Sequence, residues 1–225
     1  ALVFSHYKIP IPKSHIAKAL VLDLLLSTWA ARAMGHSKAR KLLGLGLRTI
    51  WGSPNPKLIS ANLLRNFVKK IGISSFISHK NKQTKDAVII WDEGLIHTHQ
   101  LIFVHTHSGP DMECLKDFFE ILPTPDLIVG LNAPIPDALE ALATRGSSWR
   151  LPGGQSRLGQ DASEMKQYLT HAQTAFSSLL THPKYSGKLF VLNRDEAKTA
   201  HKIINQILTK LPQPTSARPK QPTCN

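Results

Sequence analysis

Hydrophobic positions recur at helical spacing through the first third of the chain. Between residues 13 and 35 the apolar side chains follow the 3.6-residue period, and Ser14 is a suitable N-cap. The same pattern predicts two further helices, over KARKLLGLGLRTIW and over residues 57–71. The first 85 residues are therefore expected to be mostly helical.

Beyond that part, short apolar runs alternate with amphipathic helical segments. The strand-like runs are DAVIIW, DLIVGLNAP and KLFVLN. The helical segments are DMECLKDFFEI, PDALEALATRG and ASEMKQYLTHAQTAFSSLL. Strands that alternate with helices favour an α/β fold with a mainly parallel sheet flanked by helices.

The patterns predict one domain over residues 1–211. Its basic, mostly helical part spans residues 1–85, and the part with the predicted strands spans residues 86–211. The Pro-rich tail at residues 212–225 is expected to be disordered.

Charge is distributed unevenly along the chain. Residues 1–85 contain 15 Lys or Arg and one acid, Asp23, for a net charge of +14, whereas residues 86–225 contain 13 basic and 14 acidic residues. A basic block would attract an anionic partner such as a nucleic acid or a membrane face, although a solvated helical surface is the plainer explanation.

The composition also bears on the compartment. Lys18, Asp23 and Arg32 interrupt the apolar run at residues 16–34, so we expect a buried or interfacial helix and no transmembrane span. The two cysteines have no paired metal-binding spacing, which fits a reducing compartment. We therefore expect a cytoplasmic protein.

Candidate chemistry is concentrated in VIIWDEGLIHTHQLIFVHTH, residues 88–107. Asp92 and Glu93 directly follow a predicted strand, and open α/β sheets bind ligands at the carboxyl edge. One carboxylate there can hold a Mg²⁺ that bridges nucleotide phosphates, and a second can orient a nucleophile. A helix N-cap or a surface turn is the alternative role for this acidic pair.

The histidines of the same stretch offer a rival site. If residues 101–107 form a strand, His105 and His107 point to one face and can bind one metal, an arrangement similar to that of metal-dependent amidohydrolases. On a helix, residues two apart lie about 200° apart and cannot chelate one ion. We predict a helix over residues 95–106, and therefore no convergence of the four histidines.

Four motifs in order resemble the carboxyl-terminal half of the P-loop nucleoside and nucleotide kinases, most closely the thymidylate kinase-like group. They are VIIWDEG, PDLIVGLNAP, ALATRG and SSWRLPGGQSR, and the resemblance covers about residues 86–210. In that family an Asp-containing turn follows one strand, a later strand leads into a helix that ends near Arg-Gly, and an arginine-bearing lid closes over the triphosphate.

The resemblance implies a three-layer P-loop kinase-like fold and a nucleotide-dependent phosphotransferase, with ATP as donor, Mg²⁺ as cofactor and a small hydroxyl-bearing acceptor. By resemblance, Asp92 would hold the metal and Glu93 would orient the acceptor hydroxyl. The charge on the phosphates would be neutralised by Arg145, Arg150 and Arg157. His97 and Asn193 would lie near the nucleotide.

The phosphate loop of that family has no counterpart in these 225 residues, because no G-x-x-x-x-G-K-[ST] occurs. We expect either a product that lacks the first strand and its loop or a degenerate relative, with weak ATP binding and little turnover. A non-catalytic module that binds an anionic partner through residues 1–85 is the alternative function.

Overall fold

The computed structural model describes residues 7, 8, 10–53, 56–83, 89–91, 94–105, 108–144, 162–193, 205 and 209. The chain divides into two compact units. The larger comprises residues 1–124 and 133–186, and the smaller comprises residues 125–132 and 187–225. Within the described residues the larger unit is helical, and the smaller contains a two-stranded parallel sheet.

The helices of the larger unit follow the predicted order. They are α1 (His15–Ala33), α2 (Ser37–Gly52), α3 (Lys57–Gln83), a 3-10 turn (Leu95–His97), α4 (Thr98–Phe103), α5 (Met112–Ile121), α6 (Ile135–Thr144), α7 (Ala162–Leu180) and a second 3-10 turn (Pro183–Tyr185). Ser14 caps α1 as predicted, since its hydroxyl accepts a hydrogen bond from the backbone N–H of Ala17. No helix among the described residues is long and apolar enough to cross a membrane.

Helix α3 differs from its predicted length. It was predicted to end at residue 71 but continues to Gln83, so the polar segment at residues 79–83 is helical. The segment contains no Gly or Pro, and Lys and Gln have high helix propensity, so nothing in it ends the helix early.

Two glycines allow α1, α2 and α3 to pack closely against one another. A Cβ atom at Gly72 of α3 would stand 2.1 Å from the carbonyl oxygen of Leu26 in α1, and one at Gly46 of α2 would stand 2.2 Å from the ring of Phe67 in α3. A side chain at Gly72 would force α1 and α3 apart, whereas one at Gly46 would displace the buried ring of Phe67.

An aromatic cluster on α5 forms the centre of the helical unit. Phe118 and Phe119 are fully buried, and Phe118 meets Phe103 edge to face with ring centroids 5.2 Å apart. Tyr185 donates its hydroxyl to the carbonyl oxygen of Phe119 at 2.8 Å. The Nζ of Lys184 donates to the carbonyls of Phe119, Glu120 and Leu122, which satisfies the free carbonyls at the end of α5.

The smaller unit contains two of the predicted strands, β1 (Ile128–Asn132) and β2 (Leu189–Asn193). They pair in parallel, with Ile128 opposite Leu189 and Asn132 opposite Asn193. Side chains of β1 alternate between buried and exposed, as expected for a strand with one covered face. Both strands and their parallel direction were predicted correctly.

The third predicted strand, DAVIIW, is not present over its described part. Residues 89–91 have no regular structure, and residues 86–88 lie outside the described part of the chain. Ile90 is 90% exposed, so no neighbouring strand or helix buries it. The described fold is therefore mostly helical with a small parallel sheet, which is compatible with the predicted α/β class.

Candidate functional site

Two asparagines lie side by side where the parallel strands end. Asn132 is the last residue of β1, Asn193 is the last residue of β2, and the two are partners in the register of the sheet. Ligands of α/β proteins bind at the carboxyl ends of parallel strands. An asparagine amide offers two donors and one acceptor oxygen, the groups that recognise the edge of a nucleotide base.

Only one member of this pair was identified from the sequence. Asn193 was predicted to lie near the nucleotide, and it occupies the carboxyl end of the last described strand. Asn132 was missed. The available signal was that both strands, IVGLN and LFVLN, end in the same Leu-Asn dipeptide.

All five residues predicted for catalysis lie outside the described residues. These are Asp92, Glu93, Arg145, Arg150 and Arg157, and their roles stay predictions. His97 is described and half-buried, and it closes the 3-10 turn that precedes α4.

His99, on α4, is a core residue. Its side chain is buried, its Nδ1 donates to the carbonyl oxygen of Ile96 at 2.7 Å, and its ring meets that of Phe119 edge to face. Burial lowers the pKa of His99 to about 4, against the hydrogen bond to Ile96, which raises it. His99 is therefore neutral at physiological pH.

His105 follows α4 without regular structure. Residues 101–103 belong to α4, so the strand that the metal-site hypothesis needs at 101–107 is not present there, and His107 lies outside the described residues. The carbonyl oxygen of His105 accepts a hydrogen bond from Nδ1 of His171 at 2.7 Å. Among the residues that the structure describes, no group of three or more His, Cys, Asp or Glu could hold a metal ion.

A groove of about 680 Å³ opens between α2, α5 and the segment that joins α4 to α5. Arg48 points across it and donates to the sulfur of Cys114 at 3.5 Å. Asp111 caps α5, because its Oδ1 accepts from the backbone N–H groups of Glu113 and Cys114.

The electrostatics of this groove disfavour a cysteine nucleophile. Hydrogen bonds from Cys114 lower the pKa of Asp111, whereas burial and the neighbouring Asp111 raise the pKa of the Cys114 thiol. The thiol is protonated at neutral pH, and a thiol is a much weaker nucleophile than a thiolate.

The basic part of the chain contains a single acid. Asp23, the one acid among residues 1–85, is ion-paired with both Arg65 and Lys69 of α3. Burial alone would raise the pKa of Asp23, but the hydrogen bonds from Lys69 and Arg65 outweigh it and lower that pKa.

Comparison of this chain with family models, with curated proteins and with solved structures found no match.

Proposed function

We propose that the chain is a nucleotide-dependent, kinase-like phosphotransferase or an inactive derivative of one, with a cytoplasmic location. The observation that supports the proposal is the parallel pairing of β1 with β2, with α6 and α7 between them in the chain. The kinase resemblance predicts this order of elements over the same residues. The complete three-layer P-loop fold is part of the proposal.

Under this proposal the nucleotide base lies at the carboxyl edge of the strands, near Asn132 and Asn193. Asparagine amides suit the mixed donors and acceptors of a base edge. His97 is proposed as a nucleotide contact by the resemblance alone.

The phosphate-binding roles are assigned by resemblance. Arg145, Arg150 and Arg157 would neutralise the charge on the phosphates, because guanidinium groups offer forked donors and a permanent charge. Asp92 would hold Mg²⁺, which would supply positive charge at the phosphates, and Glu93 would orient the hydroxyl of a small acceptor.

The phosphate loop is not encoded in these residues, so we expect weak binding of Mg-ATP and little turnover. Calorimetric titration should give a dissociation constant that increases at least tenfold in an Arg145→Ala, Arg150→Ala, Arg157→Ala variant, since hydrogen bonds to charged groups contribute about 1.5–3 kcal/mol each. Asp92→Asn should remove the dependence of binding on Mg²⁺.

A charge-matched control separates specific from diffuse binding. A Lys18→Ala, Lys38→Ala, Lys41→Ala variant removes the same charge from exposed positions of α1 and α2. The proposal expects little change in ATP affinity for this variant. Equal weakening in both triple variants would show that ATP responds only to overall positive charge.

A second candidate function is supported by the charge of α1, α2 and α3. Residues 1–85 carry 15 Lys or Arg and one acid, which is ion-paired, so their net positive charge would attract an anionic partner. A non-catalytic binding module would bind heparin with strong dependence on salt and would show no specific response to Mg-ATP.

A further inference from the structure

Helix α1 presents three large aliphatic side chains to solvent. Ile16 is 75% exposed, Leu20 63% and Leu24 66%. Their spacing of four residues places them within about 80° of arc and about 12 Å of helix length. They form one continuous apolar surface, which we name the α1 stripe.

The α1 stripe does not face the core of the helical unit. A different side of the same helix is buried, through Leu26, Trp29, Ala30 and Ala33. Trp29 meets Phe76 of α3 edge to face, and the carbonyl of Leu26 lies against Gly72. The helix is therefore held by its other side, and the stripe remains on the surface.

The stripe lies in the basic part of the chain, residues 1–85, which carries 15 Lys or Arg and one acid. Lys13, just before α1, is exposed. Asp23, the neighbour of Leu24, is neutralised by Arg65 and Lys69. An exposed apolar helix face in a strongly basic part of a chain is typical of helices that lie in the membrane interface.

We propose that α1 binds an anionic lipid surface, with the α1 stripe in the boundary between headgroups and acyl chains and with Lys13 and the excess positive charge of residues 1–85 attracted to the headgroup phosphates. The inference is independent of the phosphotransferase proposal, and it gives the anionic partner of the second candidate function a chemical identity. The helix would lie along the surface, consistent with the lack of a membrane-spanning helix among the described residues.

Other occupants fit the surface less well. A nucleic acid supplies phosphates but no apolar layer that could bury three aliphatic side chains. Its bases stack on exposed aromatic rings, whereas Trp29 of α1 is buried. A second copy of the chain would bring two strongly basic parts of the same sign together.

The test is flotation with phosphatidylcholine vesicles that contain or lack phosphatidylglycerol. We expect binding to the anionic vesicles that decreases on the order of tenfold or more in a Leu20→Ser, Leu24→Ser variant, because each leucine loses apolar burial in the interface. Lys13→Ala should weaken binding about fivefold, with less dependence on salt.

The matched control is a Val129→Ser, Leu131→Ser variant, which removes two exposed aliphatic side chains from β1. It should bind the vesicles like the unaltered chain, and circular dichroism should show native helix content for both double variants. Unchanged vesicle binding by the Leu20, Leu24 variant would overturn the proposal. Binding to duplex DNA without vesicle binding, or a dimer that the same substitutions dissociate without vesicle binding, would also overturn it.

Discussion

Gly72 of α3 lies against the backbone of Leu26 in α1, so closely that a Cβ atom on Gly72 would stand 2.1 Å from the Leu26 carbonyl oxygen. The obstacle is a backbone atom inside a helix, which cannot move aside as the end of a flexible side chain can. The spacing of α1 and α3 therefore depends on the absence of a side chain at this position.

Gly72→Ala should lower the free energy of unfolding by about 2 kcal/mol or more, because the two helices must separate. Gly44→Ala is the matched control, since Gly44 lies within α2 and a Cβ there would have no neighbour within 4 Å. The control should raise stability by about 1 kcal/mol through helix propensity. Urea denaturation measures both, and equal effects would contradict the described crossing.

Buried His99 should make stability depend on pH. Its pKa is about 4 in the folded protein and about 6.5 for an unperturbed histidine, so below pH 6.5 the unfolded chain binds a proton that the folded chain excludes. The contribution of neutral His99 is complete above pH 6.5 and should decline by about 3 kcal/mol as the pH falls towards 4.

Urea denaturation at a series of pH values measures this decline. A His99→Leu variant should show a shallower pH dependence over the same window, because it has no group there to titrate. Identical pH dependence in the variant and the unaltered chain would show that His99 is not a buried neutral histidine.

Lys184 should stabilise the end of α5 through its three carbonyl acceptors. Lys184→Met keeps much of the aliphatic length of the side chain but removes every hydrogen-bond donor. We expect the free energy of unfolding to fall by about 1–3 kcal/mol, because the carbonyls of α5 lose their partner. Lys116→Met, at an exposed position of α5, is the control and should change stability by less than about 0.5 kcal/mol. Thermal unfolding of the two variants should differ accordingly.

Cys114 should react slowly with iodoacetamide at neutral pH, because burial and Asp111 raise the pKa of its thiol. Asp111→Asn keeps a good N-cap for α5 but removes the negative charge, so the alkylation rate should increase severalfold. The measurement uses a Cys224→Ser background, so that only Cys114 is observed. An unchanged rate would mean that Asp111 does not control this thiol.

Local patterns were sufficient to predict much of the fold. The periods of α1 and α2 and the short apolar runs of β1 and β2 are properties of neighbouring residues, so the sequence displays them directly. The end of α3 at Gln83 was missed because Lys, Asn and Gln occur in loops and in helices alike.

Contacts between residues that are far apart in the sequence were harder to predict from local patterns. The contact of Arg48 with Cys114 joins residues 66 positions apart, and no local pattern encodes it. The position of Asn132 opposite Asn193 depends on strand register, which the periodicity of two separate strands does not determine.

The most direct test of the central claim is a nitrogen-15 NMR titration with Mg-ATP, because amide shifts locate even a weak site. If the carboxyl edge of β1 and β2 binds the nucleotide, the amides of Asn132, Ala133 and Asn193 should shift in a saturable manner, and Asn132→Ala should reduce the affinity. Shifts confined to α1, α2 and α3, or no saturable shift at the strand ends, would contradict the phosphotransferase proposal.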